Sequence, residues 1–366
     1  MPDAEEVATL LAYEFLRDGK YSAAQGPVEI RQLAMAAAIG AADHVALGEE
    51  REGIEAFGSI AVQSVGFEQG IDDPKVHVYL TRGSSKLIRS LPKTVEGVPI
   101  VAHQMGTVVV RPEAAASATN QGHLFERQDR ICCGSSCAPT SENSSGTLGA
   151  LVRRAGSERM YLLSNNHVLA GCNHVPIDQP ILSPSSADGR PAMRAPGEIG
   201  RHEIIHELRS GNPHFVNPCD ADLALARATD EAGLSSWQGG ADDGFDTPAA
   251  TASPMSAVRV KKFGRTTGLT FGVVEAKVGT PMPVAYTARH FRGTVWFKDV
   301  WTVRGIDGAT FALPGDSGSL VVTEDAQTAI GLIFAGNRNG EYAWIVPMPC
   351  VIGAFGGLRL VAGHGV

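Results

Sequence analysis

From Gly146 to the C-terminus the chain is a succession of short, alternating apolar segments broken by turn residues, and this pattern constrains the fold most. TLGALVRR, MYLLSNNHVL, DLALARA, VRVKKFGR, LTFGVVEAKV, TVWFKDVWTV, GSLVVT, TAIGLIFAG and EYAWIVPM follow one another, with turns about every 8–12 residues. Alternation at period two turns one face of each segment inward and the other outward, as in half-buried antiparallel strands. The spacing predicts an antiparallel sandwich or barrel. Leu234 to Met255, rich in Gly, Asp, Ala and Pro, is expected to be a surface excursion, and a short helix is expected from Met348 to Phe355.

Upstream the pattern changes. Glu5 to Arg17 sets Val7, Leu10, Leu11, Tyr13 and Phe15 at helical spacing, and a second helix is expected from Pro27 to about Ala46. FGSIAVQSVGF, VHVYLTRG, VPIVAHQ and TVVVRP then have the alternation of strands. Residues 1–112 are therefore expected to be a small α/β region. Between Glu113 and Ser145 periodicity gives way to Ser, Asn, Gly, Thr and Cys, which predicts a linker or entry loop over 113–145. Residues 146–366 form the all-β part. No internal repeat is evident.

Composition narrows the classes of function. Gly 42 and Pro 21 of 366 residues exceed the average, but aperiodically, which suits turns between many strands and excludes collagen-like chains. A formal net charge of −8 argues against non-specific nucleic-acid binding. The N-terminus carries acids where a signal peptide carries Lys or Arg, and the best membrane candidate, Leu33 to Gly48, is short and interrupted by Asp43 and His44. A cytoplasmic protein without a membrane partner is expected. Its six cysteines (Cys132, Cys133, Cys137, Cys172, Cys219, Cys350) then read as free thiols. The CCxxxC cluster lacks paired metal-ligand spacing, so no metal or cofactor is expected.

The chemistry concentrates in Leu313-Pro314-Gly315-Asp316-Ser317-Gly318-Ser319. Glycines on both sides of a serine allow a tight turn that exposes its hydroxyl and lets backbone N–H groups converge beside it. A serine needs a base, and the base needs an orienting group. His167, after the hydrophobic strand ending in Ser164-Asn165-Asn166, and Asp222, which opens Asp222-Leu223-Ala224-Leu225-Ala226, supply those residue types. Asp220 competes for the acid position. Asp222 is preferred because the apolar strand follows it directly.

In these residues the chain resembles the trypsin-like (chymotrypsin-fold) serine peptidases. The order His, Asp, Ser along the chain matches that fold and differs from subtilisin and the α/β-hydrolases. LSNNHVLA, FGRTTGLTFGVV and PGDSGSLVV…AIGLIFAG are similar to a bacterial intracellular branch related to the plant narrow-leaf protein, over roughly Gly146 to Phe355. The resemblance implies two antiparallel six-stranded β-barrels and a serine endopeptidase. Ser317 would be its nucleophile, His167 its general acid/base and Asp222 the residue that orients the imidazole. It also implies an oxyanion hole from the N–H groups of Gly315 and Ser317, and a substrate cleft bordered by Phe334, Ala335 and Gly336. The position that sets a basic preference in trypsin corresponds to Phe311, so a small or apolar P1 residue is expected.

Other residues have plainer readings. Arg130-Ile131-Cys132-Cys133-Gly134 looks like an activation cleavage point but is expected to be an ordinary loop. His174 with Cys172, and the run His202, His206 and His214, are expected to be solvated loop residues. Thr266, Thr267 and Thr270 fit turn and strand chemistry. Lys261-Lys262 is too short for a nucleic-acid patch. The expected partner is a protein or peptide substrate, and the N-terminal region is a candidate docking element for a regulatory protein. The competing classes are a peptidase-fold interaction module with little or no catalysis, and an esterase using the same triad.

Overall fold

The computed structural model describes residues 3–17, 21, 61–82, 88–89, 91–106, 108–110, 113–114, 124–189, 194–212, 216–278 and 281–366. The expected helix from Pro27 to Ala46, and His214, lie outside the described residues. The protein is mainly β, and its centre is a closed six-stranded antiparallel barrel. The barrel runs through Arg259–Gly264, Leu320–Thr323, Thr328–Gly336, Tyr342–Pro347, Trp301–Gly305 and Gly268–Val278, and the last strand pairs back onto the first. A separate nine-stranded sheet contains Ala150–Arg154, Met160–Ser164, Leu223–Ala228 and Gly197–His206, and Leu358–Leu360 from the end of the chain joins it.

The 11-residue strand Gly268–Val278 runs past the end of its pairing with Arg259–Gly264. Its end pairs with Ala61–Phe67, which pairs antiparallel with Val76–Arg82, which in turn lies parallel to Val98–Gln104. The N-terminal strands thus continue the barrel's own sheet. The helix Ala4–Arg17 covers them through Ala4, Val7, Ala8, Leu11, Ala12 and Phe15, all buried on one face. A reciprocal cap starts it: Glu6 N donates to Asp3 Oδ1 at 2.9 Å and Asp3 N to Glu6 Oε2 at 3.1 Å. Tyr13, expected on the apolar face, is exposed.

Two stretches differ from expectation. Arg130–Cys133, Ser136–Pro139 and Ser144–Thr147, within the expected linker, are strands. All four residues of Ser136–Pro139 are buried, and a strand buried on both faces loses the alternation that reveals strands in sequence. Arg130-Ile131 accordingly begins a strand and not a loop. In the expected surface excursion, Leu234–Gln238 is a mostly buried strand parallel to Arg130–Cys133.

Candidate active site

His167 and Asp222 meet because of register. Met160–Ser164 pairs antiparallel with Leu223–Ala228, with Ser164 opposite Ala224. The residues just past the end of one strand therefore lie beside those just before the other. There the chain turns into the short helix Asn166–Leu169. The polar residues ahead of the histidine brace this turn: Ser164 Oγ donates to Thr147 O at 2.7 Å and Asn165 Nδ2 to Asp222 O at 2.7 Å. Asn166 Nδ2 donates to His206 O at 2.9 Å.

Asp222 is fully buried. Its Oδ2 lies 2.5 Å from His167 Nδ1, and its Oδ1 accepts the His167 backbone N–H at 3.2 Å. A carboxylate only accepts, so Nδ1 carries the hydrogen, and Nε2 of the neutral ring is left as an acceptor. A third donor, absent from the sequence reading, is Tyr286, whose hydroxyl donates to Asp222 Oδ2 at 2.7 Å. Burial, and then the charge of Asp222, hold that phenol well above its ordinary pKa, so it remains a donor. Asp220 is committed elsewhere. It accepts from His206 Nε2 at 2.8 Å, and that bond holds its carboxyl below the usual range.

Ser317 sits on a loop whose glycines are required. Gly315 has φ 97° and Gly318 φ 95°, and an added Cβ would run into Thr266 Oγ1 at the first and Ser164 Oγ at the second. Ser317 O accepts the Thr147 N–H at 2.8 Å, which ties the loop to the residue that also braces Ser164. Among the described residues no hydrogen bond joins the Ser317 hydroxyl to His167. The N–H groups of Gly315 and Ser317 have no backbone acceptor among the described residues. Their directions are nevertheless set. The carbonyl opposite the first, Pro314 O, accepts from Thr266 Oγ1 at 2.7 Å, and the one opposite the second, Asp316 O, accepts from Ser319 Oγ at 2.7 Å. In a planar trans peptide, pinning the carbonyl fixes the N–H.

Behind this loop Asp316 is fully buried and satisfied from within the chain. Oδ1 accepts from Thr266 N at 2.8 Å and Thr267 N at 3.1 Å; Oδ2 accepts from Thr267 Oγ1 at 2.8 Å and Leu313 N at 2.9 Å. Lys262 Nζ completes the set at 3.4 Å from Oδ2. Burial lowers the pKa of this lysine despite the opposing pull of Asp316. A period-two reading of VRVKKFGR turns Lys262 inward with Val260, a signal that could have singled it out.

Ser317 opens onto a cleft of about 680 Å³. Ala312, Leu313, Ile333, Phe334, Ala335 and Gly336 line it, as do Thr81, Gly106 and Val110 from the N-terminal strands. Val108 forms an antiparallel bridge to Asn337, whose Nδ2 donates to Met105 O at 3.1 Å. The expectation for Phe311 needs correcting. Its side chain is fully buried against Gly272, away from the cleft, and Ala312 and Leu313 take the wall instead.

The remaining candidates resolve into structural roles. All six cysteines are free thiols. Burial pushes Cys132 up to about 11 and raises Cys133 and Cys137 further, the opposite of a reactive thiolate. His174 Nδ1 is taken by Cys172 O at 2.6 Å. His202, expected to be solvated, is buried with Nδ1 on Pro176 O at 3.1 Å. Thr270 Oγ1 donates to Phe311 O at 2.7 Å.

No family model matches the chain. Over 295 residues it is 27% identical to Protein NARROW LEAF 1 of Oryza sativa subsp. japonica, a match that takes in 73% of this chain and 49% of that protein. The chain thus spans about half the length of the curated relative it matches. Among solved structures it is similar to a glutamic acid specific serine protease that utilizes a histidine triad in substrate binding, at 18% identity, covering 63% of this chain and 100% of that one, with a TM-score of 0.43. It is also similar to Thermobifida fusca Protease A, at 17% identity, 64% and 100% coverage and a TM-score of 0.43. Cellulomonas bogoriensis chymotrypsin matches at 19% identity, 63% and 97% coverage and a TM-score of 0.40. Among the described residues no helix is long and apolar enough to cross a membrane.

Proposed function

We propose that the chain is a serine endopeptidase that cleaves peptide bonds through an acyl-enzyme. The observation that carries this reading is the buried contact of 2.5 Å between His167 Nδ1 and Asp222 Oδ2, braced through Thr147 and Ser164 to the loop that presents Ser317 to a cleft. Ser317 Oγ attacks the scissile carbonyl while His167 Nε2 takes its proton. The N–H groups of Gly315 and Ser317 hold the developing oxyanion. The imidazolium, stabilised by Asp222, returns the proton to the leaving amine, and water activated by the same histidine releases the acyl group.

The cleft wall of Ala312, Leu313, Ile333 and Phe334 favours a small or apolar P1 residue, and its charged lining residue is basic, Arg338, which opposes cleavage after Lys or Arg. In this reading residues 146–366 carry the catalytic groups. Residues 1–112 act on substrate through Thr81, Gly106 and Val110, and this is where a regulatory protein partner would exert control. Six free cysteines suit a reducing, cytoplasmic compartment, where limited cleavage of a specific protein is the fitting role.

Labelling of the purified chain by a fluorophosphonate probe, and its loss in Ser317→Ala, tests the proposal. Absence of labelling in the wild type would reject it. One observation favours the second reading, an interaction module: the Ser317 hydroxyl makes no hydrogen bond to His167 among the described residues. A lysate comparison of wild type with Ser317→Ala separates the two, because a module binds without cutting. Degradation of unrelated unfolded proteins to small peptides would rule out limited cleavage.

A further inference from the structure

Where the N-terminal strands join the barrel, three side chains converge that the serine chemistry does not use. His77 comes from Val76–Arg82, His103 from Val98–Gln104 and Glu275 from the barrel strand Gly268–Val278. We propose that His77, His103 and Glu275 form a binding site for a divalent transition-metal ion of the zinc class, which staples the N-terminal strands to the barrel.

The inward-facing atoms are already gathered. His77 Nδ1 and His103 Nε2 are 2.8 Å apart, Glu275 Oε2 is 4.0 Å from His77 Nδ1, and all three ligand atoms lie within 4.8 Å of one another. Tetrahedral zinc with bonds of about 2.0–2.1 Å spaces its ligand atoms by roughly 3.3 Å, so the separations of 2.8 and 4.0 Å lie close to that spacing and the three side chains supply three of the four positions.

The surroundings are those of a metal centre's outer layer. Metal-bound histidines hold their second ring nitrogen on a carboxylate, a carbonyl or a water. Here His77 Nε2 is 3.2 Å from Glu68 Oε1, and His103 Nδ1 is 3.1 Å from the Tyr342 hydroxyl. Glu275 is oriented from both sides: Tyr79 OH donates to Oε2 at 2.6 Å and Arg304 Nε to Oε1 at 3.0 Å. Two carboxylates against one guanidinium leave the surroundings negative, as a dication requires.

The proton count closes. If His77 Nε2–H donates to Glu68, then His77 Nδ1 accepts from His103 Nε2–H, and His103 Nδ1 accepts from Tyr342. Metal binding displaces the hydrogen on His103 Nε2. That ring moves to its Nδ1–H tautomer, and the Tyr342 hydroxyl turns from donor to acceptor. No proton is gained or lost overall.

Sequence spacing conceals this site, because the fold assembles it: Val76–Arg82 lies beside Val98–Gln104, and Gly268–Val278 is reached across Ala61–Phe67. The strand that carries His77 also carries Thr81, and the one that carries His103 leads into Gly106, both on the cleft wall. A bound ion would therefore steady that wall.

The test is metal binding by the full chain, read by calorimetry with zinc and by the visible spectrum with cobalt(II). One equivalent per chain is expected, with a tetrahedral cobalt spectrum and a raised unfolding midpoint on loading. Affinity should fall at least tenfold in His103→Gln and in Glu275→Gln. Should either variant fail to fold, Glu68→Gln, which leaves the ligands in place, is expected to weaken binding 10- to 100-fold. Failure of the folded wild-type chain to take up stoichiometric zinc or cobalt, or undiminished uptake in folded His103→Gln or Glu275→Gln, would overturn the proposal.

Discussion

Lys262 Nζ stands 3.4 Å from Asp316 Oδ2, and both side chains are fully buried directly behind the loop that presents Ser317. The lysine comes from the barrel strand Arg259–Gly264 and shares the acid with four hydrogen-bond donors of the chain.

Removing that lysine should be costly. Lys262→Met leaves Asp316 buried without its counter-ion, a change worth about 3–5 kcal/mol. Urea unfolding is expected to report a loss near the lower end of that range, because four hydrogen bonds to Asp316 remain, and labelling of Ser317 should slow. Lys262→Met/Asp316→Asn should recover part of the stability. Simple additivity of the two single changes would refute the coupling.

The pairing of His167 with Asp222 and Tyr286 predicts a graded series. Asp222→Asn offers the ring an amide donor, favours the wrong tautomer and should slow probe labelling by about 10³–10⁴-fold. Tyr286→Phe removes one donor to the carboxylate and should cost about 1.5–3 kcal/mol of stability. Its labelling rate should fall by roughly tenfold, far less than for Asp222→Asn. Equal effects from the two variants would show that Tyr286 does more than position the acid.

Thr266 acts through the Pro314–Gly315 peptide plane. Thr266→Val frees Pro314 O and should lower kcat by about tenfold with little change in KM, while Thr266→Ser restores it. Loss carried mainly by KM would place Thr266 in substrate binding instead.

If the N-terminal strands bound the cleft, filling it from that side should discriminate by substrate size. Thr81→Phe is expected to raise KM for peptides several-fold and to leave a small activated ester nearly unaffected. An unchanged peptide KM would detach the N-terminal region from substrate binding.

His202 supplies a pH signature. Burial lowers its pKa, against the upward pull of the Pro176 and Val175 carbonyls, so the folded state favours the neutral ring. Below the ordinary histidine value of about 6.5 the unfolded chain binds a proton that the folded chain resists. Stability from this residue is thus full above that pH and declines on acidification until the folded-state value is passed. The fall in thermal midpoint from pH 7 to pH 5 should be shallower in His202→Gln than in the wild type.

Much of the candidate site was legible in local sequence. The Gly315 to Gly318 turn demands φ values only glycine adopts freely, and it singles out Ser317. The strand ending at Ser164 and the one opening at Leu223 bracket His167 and Asp222 through simple alternation. Asp222 and Asp220 were harder to separate, because both sit in the turn just before Leu223–Ala228, and only the fold assigns one to His167 and the other to His206.

Tertiary structure alone decided the rest. Ser136–Pro139 hides as a strand because both its faces are buried, and Phe311 leaves the cleft because its ring packs into the barrel against Gly272. Tyr286 reaches Asp222 across 64 positions, and Tyr79 reaches Glu275 across 196. Periodicity reports which way a side chain faces relative to its own backbone. Which distant side chain it meets depends on strand order, register and burial, and these are set by long-range pairing.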